Sequence, residues 1–145
     1  MRFTTTLLFS LALILTSTFA HSQPDNWNIY HNKKLLLTAT DENETKNILS
    51  LKRSELDKIG ELIVVYEEGN PDKEWKRTIA IVDENSNSLF EKTEINKIQV
   101  SNADLKKLAE GKTTLKIYTW ALPKDPAKAA LIRIRRVHLC TLELK

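Results

Sequence analysis

Leu62-Ile63-Val64-Val65-Tyr66, then Glu68-Gly69-Asn70-Pro71-Asp72, then Trp75-Lys76-Arg77-Thr78-Ile79-Ala80-Ile81-Val82 is the stretch that decides the fold. Two apolar runs rich in β-branched and aromatic residues flank a Gly-Asn-Pro turn. Such residues suit a pleated, half-buried surface, and runs this short between turn residues read as paired strands. The same texture extends both ways. Further runs lie at residues 27–30, 35–38, 47–51, 95–100, 114–122 and 131–144, separated by turn clusters at 41–44, 83–88 and 123–126. The expectation is an all-β protein, a single antiparallel β-sandwich.

Two stretches break the β pattern. Ser54-Glu55-Leu56-Asp57-Lys58-Ile59 ends in Gly60, and Asn102-Ala103-Asp104-Leu105-Lys106-Lys107-Leu108 ends shortly before Gly111. Each begins with a capping residue and an early acid, carries bases later and closes near glycine, as one- or two-turn helices do. A strand precedes each helix. A strand with a tyrosine (Tyr66, Tyr118) follows each, and a proline turn comes after it. The spacing predicts an internal duplication, about 47–82 and 97–136, giving two similar halves with one short helix each. Neither half alone can bury its apolar face, so residues 23–145 form one domain.

The N-terminus carries an address. Arg2 precedes the apolar run Leu7-Leu8-Phe9-Ser10-Leu11-Ala12-Leu13-Ile14-Leu15, and small residues follow as far as Ala20. That order reads as a signal peptide over 1–22, cleaved after Ala20 or Ser22. The apolar run is about half the roughly 20 residues that span a bilayer, and no second one follows. The expectation is a periplasmic or secreted protein with no transmembrane segment after processing.

The chain has 22 Lys+Arg against 19 Asp+Glu, a net charge of +3 that falls to +2 once Arg2 is removed with the leader. Interspersed charge of this size argues against nucleic-acid binding. The end is more basic: Lys124, Lys128, Arg133, Arg135, Arg136 and Lys145 against Asp125 and Glu143. Cys140 is the only cysteine, so no internal disulfide forms. An exposed thiol would invite disulfide dimers, so the expectation is a buried structural cysteine and a monomer.

Motifs for catalysis are missing: no glycine-rich phosphate loop, CxxC, HExxH or nucleophile elbow occurs. The reading is that the protein is not an enzyme and carries no cofactor. The acid pairs Glu67-Glu68 and Asp83-Glu84 lack the ligand spacing of a calcium loop. Histidine offers an alternative. Cleavage after Ala20 makes His21 the first residue, and an N-terminal histidine resembles the copper brace of secreted polysaccharide oxygenases and of some periplasmic copper carriers. The resemblance covers that one residue and implies a small copper-binding protein, with His31 and His138 as candidate partners; a start at Gln23 removes it.

The terminal run poses a question of faces. Taken as one straight strand, Arg136, His138 and Cys140 share a face with Ile132, Ile134, Leu142 and Leu144. Burying an unpaired arginine is expensive. The favoured reading is a β-bulge at Arg135-Arg136 that turns Arg136 and His138 to water and Val137 and Leu139 inward. Arg133, Arg135 and Arg136 then line a basic edge, suited to an unknown protein partner or an anionic envelope glycan. Tyr118 and Trp120 share one face of their strand, which leaves open a carbohydrate-binding module with an aromatic platform. The expected function is that of an exported, non-catalytic binding or interaction protein.

Overall fold

The computed structural model describes residues 22–145. The expected signal peptide up to residue 21, and His21 with it, lies outside the described residues. Strand β1 (Asn26–His31) turns tightly into β2 (Lys34–Ala39) through Asn32 and Lys33, at φ of 49° and 68°. Two consecutive left-handed residues give the hairpin turn whose twist matches that of its strands. β4 (Glu61–Glu67) pairs with the other side of β1, and β7 (Lys97–Ser101) closes a four-stranded antiparallel sheet in the order β2-β1-β4-β7. The second sheet holds β3 (Ile48–Leu51), β9 (Val137–Leu144), β8 (Thr114–Pro123), β5 (Trp75–Val82) and β6 (Ser88–Thr93), in the order β3-β9-β8-β5-β6. Helices are short: a 3-10 turn at Arg53–Glu55, α1 (Asn102–Leu108) and α2 (Pro126–Ala129).

Period-2 alternation builds the core between the sheets. The first sheet contributes Trp27, Ile29, Leu62, Val64, Tyr66, Ile98 and Val100. The second contributes Ile79, Ile81, Leu115, Ile117, Leu139, Cys140 and Leu142. Leu56 and Leu105, one from each helical turn, plug the same end. Ser101 caps α1 by accepting from the Asp104 backbone N–H at 3.1 Å. The Asn102 side chain then ties that end together, its Oδ1 accepting from His31 Nε2 and its Nδ2 donating toward Asn32 Oδ1 and the carbonyls of Glu55 and Lys58.

The all-β, two-sheet architecture is as expected; four details differ. First, β3 runs parallel to β9, the single parallel ladder among the described strands. Parallel neighbours require a long crossover, and here almost the whole domain lies between them. Second, β6 was not foreseen. It is an edge strand whose apolar residues are only Leu89 and Phe90, too few to make an alternating pattern.

Third, the final run is not one strand. Asp125 caps α2, Pro126 fills its first turn, and residues 131–136 are irregular before β9 begins at Val137. The bulge falls at Leu139, since Tyr118 faces His138 while Ile117 faces Cys140. Leu139 points into the core as expected and Arg136 is exposed, but His138 is fully buried on the outward face of its sheet. The freed carbonyl of Leu139 accepts the Trp27 indole N–H at 3.0 Å, which joins the two sheets.

Fourth, Tyr66 and Tyr118 are not equivalent. Tyr66 shares the inward parity of Leu62 and Val64, whereas Tyr118 has the opposite parity to Leu115 and Ile117 and faces out. Matching the tyrosines slips the strands by one residue, which exchanges the two faces.

Candidate functional site

The outward face of the second sheet carries its own apolar cluster. Ala80 and Val82 of β5 are buried beneath Trp120 of β8, with Tyr118 and Leu122 packed beside them. Tyr118 meets His138 edge-on, ring centroids 5.5 Å apart. The His138 ring bonds Thr141 through Nε2 at 2.9 Å and leaves Nδ1 without a partner. Burial holds this imidazole below its ordinary value. Glu44 and Glu42 oppose that shift, and Lys116 adds to it.

Segment 124–136 borders this face. Asp125 accepts from the Ala127 N–H to start α2, where proline at the first position is pre-set for a helix. The chain then runs through exposed Leu131, Ile132 and Ile134. Glu42 holds the far end. One carboxylate oxygen accepts from the Arg135 guanidinium and the other from the His138 backbone N–H, each at 2.9 Å. Arg136 lays its guanidinium over the Trp120 ring, 5.0 Å from the centroid.

Of the expected site residues, Arg136, Trp120 and Tyr118 come together on this face. Arg135 is turned to Glu42. Arg133 is exposed, and among the described residues neither it nor Lys124 nor Lys128 has an ion-pair partner. Trp120 is only 8% exposed with Arg136 across its ring, so it offers no open face for a sugar to stack on. His31 is buried beneath Asn102 in the first sheet, apart from His138 on the outer face of the second. Among the described residues no three His, Cys, Asp or Glu side chains gather closely enough to hold a metal ion. Asp83 and Glu84 are engaged in turns. Asn87 holds the Asp83 carboxyl below its usual range, and Thr113 does the same for Glu84. Cys140 is buried, which pushes its thiol up to about 12.

Trp75 went unnoticed in the sequence because it opens a well-patterned strand. In the structure it lies beside Leu131, Ile132 and Lys128 around a shallow cleft of about 470 Å³. Glu42 was also missed, since nothing local links it to residues more than ninety positions away. The Asp125-Pro126-Ala127 start was a legible helix signal that separates segment 131–136 from β9. Compared with known proteins, the sequence matches no family model and no curated protein.

Proposed function

We propose that the protein is an exported, non-catalytic binding protein and that segment 124–136 is its contact surface for an anionic partner. The observation that carries this reading is the concentration of unpaired, exposed cations (Lys124, Lys128, Arg133) on a segment anchored at both ends, by the Lys124 backbone N–H on the Glu74 carbonyl at 2.8 Å and by Arg135 on Glu42. Anchoring lowers the ordering cost of binding, and guanidinium groups pair with carboxylates, sulfates or phosphates through two parallel bonds. Export rests on the charged, apolar, small-residue order of the first 22 residues. A copper brace at His21 gains no support from His31 or His138, each buried with a partner of its own.

Retention on immobilised polyglutamate and on a sulfated glycan tests the contact. Charge reversal by Lys128→Glu and Arg133→Glu is expected to lower the eluting salt concentration sharply with the melting temperature unchanged. Equal retention of variant and parent would place the contact elsewhere. Arg135→Glu is a poor probe, because it sets a second carboxylate against Glu42. N-terminal sequencing of the exported protein decides between a start at His21 and one at Gln23.

The two-halved organisation belongs with this proposal. In its support, the chain crosses from the second sheet to the first at the 3-10 turn and back again at α1, and the two helical turns lie side by side. Relatives whose 47–82 and 97–136 units resemble each other more closely would strengthen it. Relatives in which the two units share nothing would count against it.

A further inference from the structure

We infer that segment 124–136 docks on an anionic lipid surface, inserting Leu131 and Ile134 while Lys124, Lys128, Arg133 and Arg136 meet the headgroups. This deepens the contact reading above and rests on it. The distinguishing observation is apolar exposure inside the basic segment. Leu131 is 87% exposed, Ile134 50% and Ile132 38%, three open aliphatic side chains within four residues, whereas the other exposed aliphatics of this size, Leu35, Ile48 and Ile59, stand singly on separate stretches of the chain. A soluble polyanion or an acidic glycan satisfies the cations and leaves these side chains in water. A bilayer interface supplies both halves of the match, phosphate oxygens for the bases and an acyl boundary for the aliphatics.

Trp75, 38% exposed, lies on the same cleft as Leu131 and Ile132, and tryptophan suits an interface with one apolar and one wet side. The charge is one-sided along the segment: Lys124, Lys128, Arg133, Arg135 and Arg136 against Asp125 alone. Asp72, Glu74 and Asp125 line the same cleft, so the outer edge of the segment and not the cleft faces the headgroups. Asp125 is engaged at the start of α2 and Arg135 by Glu42, which fixes the segment as a short, pre-shaped edge. No helix among the described residues is long and apolar enough to cross a membrane.

The experiment is cosedimentation of the exported, processed protein with vesicles of phosphatidylglycerol and phosphatidylcholine in roughly equal amounts, and with pure phosphatidylcholine. Binding is expected on the mixed vesicles, weakened by salt and nearly absent on phosphatidylcholine. Leu131→Asp with Ile134→Asp should cut the bound fraction about tenfold or more, as should Lys128→Glu with Arg133→Glu. All four positions are exposed, so unchanged melting temperatures are expected and verify folding. Polyglutamate retention separates this inference from the reading beneath it. Retention on polyglutamate that survives Leu131→Asp/Ile134→Asp, without vesicle binding, keeps the basic contact and overturns the lipid. Vesicle binding indifferent to the aliphatic pair overturns insertion. Failure to bind either target overturns both.

Discussion

His138 shows how one misplaced residue changes an expectation. Its neighbours Arg135 and Arg136 suggested an exposed basic edge, but the bulge lies after His138, not before it. The imidazole is therefore buried against Tyr118, with Nδ1 unsatisfied and Glu42, Glu44 and Lys116 as the nearby charges. Its folded value lies below the ordinary 6.5, mainly because burial disfavours the charged ring. As pH falls through about 6.5 the unfolded chain takes up a proton that the folded chain resists, so stability declines there. The contribution is complete above that value and gone once the folded-state value has been passed. Against His138→Gln, the native protein should lose melting temperature more steeply between neutral and mildly acidic pH. A difference between the two that is constant with pH would mean His138 does not titrate in this way.

At the scale of elements, the Asn102 node explains why two poor helices are well placed. A 3-10 turn of three residues and a helix of seven are too short to persist alone. Asn102, 1% exposed, bonds His31, Asn32 and the Glu55 and Lys58 carbonyls, so β1, its hairpin turn and both helical turns share one side chain. Gly60 makes the approach possible, because a Cβ there would overlap the Asn32 side chain and lie 2.9 Å from Asn102 Nδ2. Asn102→Ala is expected to cost about 2–3 kcal/mol by stranding buried carbonyls. Urea midpoints would measure it, and a loss below about 0.5 kcal/mol, typical of a plain surface position, would show that water replaces the amide. Sequence reading located α1 from its polar start at Asn102, its early Asp104 and its basic end, although the capping residue is Ser101. It could not see the node, because four of its contacts join residues more than forty positions apart. The same limit hid Glu42 beneath Arg135 and Arg136 across Trp120, while the alternating runs of β1, β4 and β8 were legible because each writes its face locally. β6 and the parallel place of β3 were not, since edge strands carry weak patterns and pairing partners are not local.

For the whole molecule, the question is whether two sheets make one cooperative unit. β9 is decisive. It sits between β3 and β8, supplies Leu139, Cys140, Leu142 and Leu144 to the core, and accepts the Trp27 indole from the opposite sheet. The chain also changes sheets at both helical turns and between β4 and β5, so no sheet consists of one continuous piece of sequence. Opening one sheet therefore exposes the apolar face of the other, and neither face can be covered from within its own sheet. Native-state hydrogen exchange should show the amides of β1 and β4 opening with the same free energy as those of β8 and β9, equal to that of global unfolding. Deleting β9 should then abolish the cooperative transition altogether, not leave a folded four-stranded remnant. A first sheet that exchanges through a separate, lower opening, or that survives the deletion with protected β1 and β4 amides, would mean that the sheets are stable independently and that the Trp27–Leu139 bond joins them without coupling them.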